Sequence, residues 1–580
     1  MTLTSGEERQ GNEMNQLEKS VSAIRTLSGY LRLFVVRPIR HERTIAITVF
    51  SCCLLIAGGL IIPLSGFAGD KKTRSRAEHA VREGAFDLAE KLYRDLLAKD
   101  PHDVEARVGL GFTLYKKRNL HDALDHAGRA ISEDPLSARG HALFGLIILS
   151  GGDFRRSIEE FRTALSLDSN NARAIAGMAM IHFYENRMEE SVHGLRRAAF
   201  LDPYEPDFAY DLGQMASRTE RFKEAADAYE RFLAIAPKTD TDRRARIRGL
   251  IEFLRYLGSQ GSLYSLGGYS RTTIPFERNG SRPIIQVRVN GSRETLRFVL
   301  DTGSGMSVLS EKAARRLGVK SVARGGMARG VGGGGRFEIV YAFVSSIDIG
   351  DIRVSNVPVY VRQIFTSGKE VDGYIGLSVI SKYIATVDYG DGTFSLTRGR
   401  GEDDQISLQT GIKVQRRGPK TPQSASLEIP MRFTSSGFLS GEVLVDGIDR
   451  PLNFIIDTGA DISVLSQALF ETEDFDNFAR GARIPIYGAA GIADSVVTLY
   501  LPRVSVGAHV REGLQAAVLD LEPINETAGF DQVGILGGNF LRHFRVVFDF
   551  QRSVMRLEQV RGRNQNQESV PRDGAVPSQP

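Results

Sequence analysis

At 580 residues, 42% hydrophobic and 25% charged, the chain is long enough for several globular domains and too apolar to be disordered throughout. Its net charge of +4 is small for that length and argues against nucleic acid as the main partner. The only cysteines, Cys52 and Cys53, are adjacent, which excludes a disulfide framework or a cysteine-based metal site in the rest of the chain.

In chain order, residues 1–43 are polar and read as a cytoplasmic N-terminal segment. Thr44 to Leu64 carries no charge and is long enough to cross a bilayer as a helix. Arg32, Arg37, Arg40 and Arg43 precede it, while Lys71, Lys72, Arg74 and Arg76 follow. The expectation is a single-pass anchor, with the soluble part periplasmic or extracellular. Residues 70–258 then repeat with a period of 34: Pro101, Pro135, Pro203 and Pro237 fall on it, and Ser169 takes the remaining place. Asp100, Asp134, Asp168 and Asp202 precede four of those five positions. Small residues recur at Ala77, Gly111, Gly145, Ala179 and Gly213, and again at Ala89, Ala123, Ser157, Ser191 and Ala225. Small residues let paired helices approach, and proline cannot continue a helix.

This pattern resembles the tetratricopeptide (TPR) repeat. About five units should stack into an all-α solenoid, with a capping helix over 240–257 and a concave face that takes a protein partner. Met178, Met180, His182, Phe183 and Tyr184 read mostly as repeat core; Arg196-Arg197 and Arg243-Arg244 read as solvated helix faces. Residues 259–272, rich in Gly and Ser, read as a linker.

Two β-rich lobes are expected over 273–398 and 427–559, joined by a polar linker over 399–426 and followed by a disordered tail over 560–580. Each lobe carries the same string. Asp301-Thr302-Gly303-Ser304 recurs as Asp457-Thr458-Gly459-Ala460. Val287-Arg288-Val289-Asn290-Gly291 leads the first copy, and Val443-Leu444-Val445-Asp446-Gly447 leads the second at the same distance. Ser307-Val308-Leu309-Ser310 follows one, Ser463-Val464-Leu465-Ser466 the other. A duplicated Asp loop can bring two carboxylates face to face, where they share one proton. Such a pair activates a water and protonates a carbonyl within one site.

Both copies resemble the catalytic loops of pepsin-like and, more closely, bacterial retropepsin-like aspartic proteases. Tyr374-Ile375-Gly376 and Ile535-Leu536-Gly537 are similar to that family's second signature. Gly330-Val331-Gly332-Gly333-Gly334-Gly335 sits where the family has its flap, and Tyr487-Gly488-Ala489-Ala490-Gly491 does so in the second copy. The resemblance implies an all-β bilobal fold and an aspartic endopeptidase with Asp301 and Asp457 as its catalytic pair. Thr302 and Thr458 would brace the loops, and Gly303 and Gly459 would free backbone N–H groups for the carboxylates. Ser304 would donate a further hydrogen bond to Asp301, which Ala460 cannot do for Asp457. Gly376 and Gly537 would let a strand pass beneath each loop. Gly330, Val331, Gly332, Gly333, Tyr487 and Gly488 would close over an extended polypeptide substrate.

No metal or cofactor is expected: the histidines lack ligand spacing, and neither a zinc helix nor a nucleophile elbow occurs. Two alternatives remain open at this point. One is a catalytically silent peptide-binding module with the same fold; the other is an envelope scaffold in which the repeats are the working part.

Overall fold

The computed structural model describes residues 64–332, 336–366, 368–399, 428–473, 475 and 478–560. The chain divides into two compact units, 1–71 and 72–580. Of the first, only residues from Leu64 onward are described, so the apolar run from Thr44 falls outside apart from its last residue. The 399–426 linker after residue 399 and the tail after residue 560 also lie outside the described residues. No helix among the described residues is long and apolar enough to cross a membrane.

Small residues at fixed spacing build the helical half. Helices α1 (Leu64–Arg82), α2 (Phe86–Lys99), α3 (Val104–Lys116), α4 (Leu120–Glu133), α5 (Ala138–Ser150), α6 (Phe154–Leu167), α7 (Ala172–Tyr184), α8 (Met188–Leu201), α9 (Pro206–Arg218) and α10 (Phe222–Ile235) pack as successive antiparallel pairs. Ala77, Ala89, Ala123, Ser157, Ser191 and Ala225 are fully buried between them. At the glycine places an aromatic ring fills the room: a Cβ on Gly145 would lie 2.8 Å from Phe161, and one on Gly213 would lie 2.7 Å from Tyr229. The recurrent aspartates shape the exits from the second helices. Asp100, Asp134, Asp168 and Asp202 each accept a hydrogen bond from the backbone N–H two residues on. Asp103, Asn119, Ser137, Asp153 and Asn171 cap the N-termini that follow.

Helix α11 (Thr241–Gly258) covers the last pair, as a capping helix should, but its other side is also occupied. It packs on the strand Ser321–Arg329 of the first lobe, and only a glycine at 249 leaves room for the Arg324 carbonyl. Phe253 stacks on Tyr341 at 4.4 Å, and Tyr256 meets Phe343 edge-on at 5.8 Å. Arg243 departs from the solvated-face expectation. It pairs with Asp240 at 2.6 Å and Asp207 at 3.3 Å, over the rings of Phe232 and Tyr210. Asp240 stands at the N-cap of the same helix, but Asp207, Tyr210 and Phe232 come from neighbouring helices, which the local pattern does not reveal.

The stretch 259–272 is not a free linker. Ser265–Gly268 pairs with Ile352–Arg362 as an edge strand, and Arg271–Pro275 pairs with Thr393–Thr397. Backbone hydrogen bonding to the lobe overrides its Gly/Ser composition.

Each lobe repeats one arrangement. In the first, Leu296–Leu300 enters the Asp loop and Val308–Ser310 leaves it. Gly373–Ile375 threads between them, parallel to the first strand and antiparallel to the second. In the second, Gly534–Leu536 threads in the same way between Leu452–Ile456 and Ser463–Ser466. The lobes share a sheet, because Ile384–Asp388 of the first pairs antiparallel with Phe544–Asp549 of the second. One continuous apolar core runs beneath both. The second lobe also enters the repeats: Phe530 packs edge-on to Phe154 at 4.9 Å and Tyr184 at 5.0 Å.

Candidate active site

The two Asp loops meet at the seam between the lobes. Thr302 Oγ1 donates to the Ile456 carbonyl and Thr458 Oγ1 to the Leu300 carbonyl, each at 2.7 Å. The Thr302 and Thr458 N–H groups donate to each other's hydroxyl, at 3.2 and 3.0 Å. Both side chains are buried, so these four bonds fix one loop against the other. The same geometry brings the carboxyls together. A Cβ on Gly459 would lie 2.7 Å from the Asp301 carboxyl, and one on Gly303 would overlap that of Asp457. Glycine is required there because the opposite carboxylate occupies the space of a side chain.

Gly376 and Gly537 meet a similar constraint on the other side of each loop. A Cβ would lie 2.7 Å from the Ser304 carbonyl in one and 2.7 Å from Ile462 in the other. Their N–H groups donate to Ser307 Oγ at 3.1 Å and Ser463 Oγ at 3.0 Å. These serines were absent from the expected site. Their signal was present, since both belong to the duplicated Ser-Val-Leu-Ser string.

The carboxyls lie within hydrogen-bonding reach of one another and are half-buried. Burial, then the Asp457 charge, pushes Asp301 well above the usual carboxylate range, and Arg362 opposes that rise. Burial also raises Asp457, but backbone N–H groups stabilise its anion; Gly459 N donates to its Oδ1 at 2.7 Å. The pair therefore holds a proton at pH values where isolated carboxyls have lost theirs. Ser304 departs from expectation. Its Oγ donates to the Met306 carbonyl at 2.7 Å rather than to Asp301, because the turn presents a nearer acceptor.

Each lobe contributes one hairpin. Ser321–Arg329 and Arg336–Ile349 form the first, with Gly330, Val331 and Gly332 at the approach to its tip. Gly333 is outside the described residues. Ile484–Gly488 and Gly491–Val496 form the second, with Tyr487 and Gly488 at the end of its first strand. The tips touch: the Ala490 N–H points at the Val331 carbonyl at 3.4 Å, and the backbone at Gly488 leaves no room for a side chain beside it. Asp461 ties the lobes together by accepting from Ser281 N. No group of three or more His, Cys, Asp or Glu among the described residues could hold a metal ion.

A second cleft, of about 1300 Å³, lies between the concave face of the repeats and the second lobe. Lys116 crosses it to Glu205 at 3.1 Å and also pairs with Asp207. Asp211 in the same wall is raised to about 8, first by burial and then by Asp207.

A family model described as aspartyl protease matches residues 285–379 and 442–540. Two tetratricopeptide repeat models match residues 80–147 and 176–239. Among curated proteins, the chain is 24% identical over 160 residues to anaphase-promoting complex subunit 3 of Schizosaccharomyces pombe, covering 28% of this chain and 24% of that one. It is 25% identical over 138 residues to the type IV pilus assembly protein PilF of Pseudomonas aeruginosa, covering 23% of this chain and 54% of that one. The chain thus spans a quarter of the first relative's length and about half of the second's. Among solved structures, a thermophilic TPR protein of Thermus thermophilus overlaps 31% of this chain and 98% of its own, at 19% identity and a TM-score of 0.27. Two segments with the duplicated Asp loop match one model, and the helical pairs before them match the others. The chain is a fusion of tetratricopeptide repeats with two lobes of the retropepsin-like aspartyl protease family.

Proposed function

We propose that this chain is a membrane-anchored aspartic endopeptidase whose repeats recruit a substrate or regulator. The observation that carries the reading is the Asp301–Asp457 pair, braced by reciprocal threonine bonds and holding a proton against the usual carboxylate tendency. In the proposed reaction the ionised carboxyl takes a proton from a water as its oxygen attacks the peptide carbonyl carbon. The protonated carboxyl gives its proton to the carbonyl oxygen. Collapse of the resulting gem-diol breaks the C–N bond, with one proton passing to the leaving amine and the other returning to the pair. Peptide in extended form would lie under the two hairpin tips, which exclude water.

The uncharged run Thr44–Leu64 supports the anchor, and a signal-anchor arrangement would put the soluble part in the periplasm or outside the cell. The concave cleft supports a protein partner. The fission-yeast relative is by its name a subunit of a multiprotein complex, which favours the same use of the repeats here.

The test is cleavage of a peptide library by the full chain in detergent, from acid to neutral pH. Asp301→Asn and Asp457→Asn should each lower the rate by roughly 1,000-fold or more. Undiminished cleavage in either variant would end the mechanism. A folded protein that binds peptides and never cuts them would support the silent binding module.

A further inference from the structure

The two halves of the cleft are alike in backbone and opposite in chemistry at two matched places. In the first lobe Ser310 pairs with Arg362; in the second the same serine, Ser466, pairs with Leu519. Five residues ahead of the duplicated Val-x-Val-x-Gly strings stand Arg282 in the first lobe and Phe438 in the second. Leu519 and Phe438 belong to one apolar cluster beside Ala460, which also takes in Val331 from the first hairpin. The arginines belong to no such cluster, and neither forms an ion pair with a carboxylate among the described residues. Arg362 donates to the Ala489 carbonyl at 2.8 Å and lies over the rings of Phe337 and Tyr374, at 5.4 and 5.6 Å. Arg282 is only 8% exposed, and its Nε is buried without an acceptor.

A guanidinium this enclosed, with no anion, is costly unless something supplies one. Tyr374, two residues before Gly376, lies within electrostatic reach of Arg362, Arg282, Asp301 and Asp457, so the two arginines and the Asp pair surround one ring. A substrate lying along the cleft therefore meets cations on one side of the pair and an apolar wall on the other. We infer that Arg362 and Arg282 form an anion-accepting subsite, so that the cleft selects an extended peptide bearing a carboxylate on the first-lobe side and an apolar side chain on the second-lobe side. The inference rests on the peptide-cleft reading above, but it does not require hydrolysis. The carboxylate can come from a Glu or Asp side chain or from the peptide's C-terminus. In either case planar guanidinium groups suit bidentate recognition of it.

The experiment uses the full chain carrying Asp457→Asn, so that peptides bind without being cut. Fluorescence anisotropy would measure labelled decapeptides in Glu/Gln pairs, each with a free or an amidated C-terminus. Glu peptides should bind roughly tenfold or more tightly than their Gln partners. A fall in affinity on amidation that is the same for Glu and Gln peptides would instead assign the anion to the C-terminus. Arg362→Gln and Arg282→Gln should each bring the ratio of Glu-peptide to Gln-peptide affinity to about one, and Arg362→Glu should turn the preference toward Lys. Melting curves of the variants separate recognition from misfolding, and Arg362→Lys should retain part of the preference if the first two variants fold poorly. Equal binding of Glu and Gln peptides, free and amidated, would overturn the subsite. It would leave the protease reading standing if the unsubstituted chain still cuts, whereas selective binding without cleavage would do the reverse.

Discussion

The two lobes present the same loop twice, and they differ where the loop does not need to be the same. The reciprocal threonine bonds, the glycines against the opposite carboxylate and the serines under Gly376 and Gly537 occur in both. Each of these satisfies a buried backbone group or a steric limit, so neither copy can lose it alone. The arginines at 282 and 362 face Phe438 and Leu519, Ser304 faces Ala460, and Lys369 occupies the place of Phe530 ahead of the threading strand. These positions point into the cleft, into a turn or toward the repeats. They are free of the loop's constraint and have taken separate work.

Phe530→Ala sharpens this comparison most in stability. It empties an aromatic pocket among Phe154 and Tyr184 and should cost about 3–5 kcal/mol in chemical denaturation. Lys369→Ala at the matching place, which is exposed, should be within about 0.5 kcal/mol of the parent. Comparable losses from both would break the claim that, of these two matched positions, only the one in the second lobe is built into the repeats.

The threonines come next. Thr302→Ala and Thr458→Ala each remove a buried donor and acceptor, and each should cost about 2–4 kcal/mol. Equal losses are expected because the bonds are reciprocal; a large difference in urea midpoint would mean that one loop stands without the other.

The carboxyls should respond to pH with a defined sign. A carboxyl whose ionisation is raised by folding contributes stability at acid pH that is lost as pH climbs from about 4 through the raised value. Asp301→Asn leaves Asp457, whose anion Gly459 N stabilises, so its melting temperature should hold up better than the parent's toward neutral pH. Asp457→Asn leaves Asp301 in the less stabilised place and should keep more of the decline. Melting curves between pH 4 and 8 that run parallel for the two variants would contradict this asymmetry.

The smallest effect belongs to Ser304→Ala. Its hydroxyl serves the Met306 carbonyl within one turn, so the loss should be about 1 kcal/mol or less, with little change in cleavage. A large fall in rate would return Ser304 to a direct role at Asp301.

Much of this was legible in the chain itself. The period of 34, its small residues and the aspartates at the helix exits all act within a few residues or between adjacent helices. The Asp loops and their glycines were legible because duplication marked them. The site's supporting serines stood in the same duplicated string without a chemical reason to single them out. Arg243, the strands within 259–272 and the meeting of the two hairpin tips could not be read, because each depends on a partner far along the chain. Arg243 is answered by Asp207, Ser265–Gly268 by Ile352–Arg362, and Val331 by Ala490.

The sequence by itself determined that five helical pairs would precede two copies of one Asp-bearing lobe. Local periodicity and repetition are carried by neighbouring residues and survive without knowledge of the fold. Only the tertiary structure decided that the lobes meet within one chain across a shared sheet, that α11 and Phe530 lock the repeats onto them, and that Arg362 stands in register where the second lobe has Leu519 of an apolar cluster. Those outcomes rest on contacts between residues separated by long stretches of chain, where closure brings together groups that no local pattern connects.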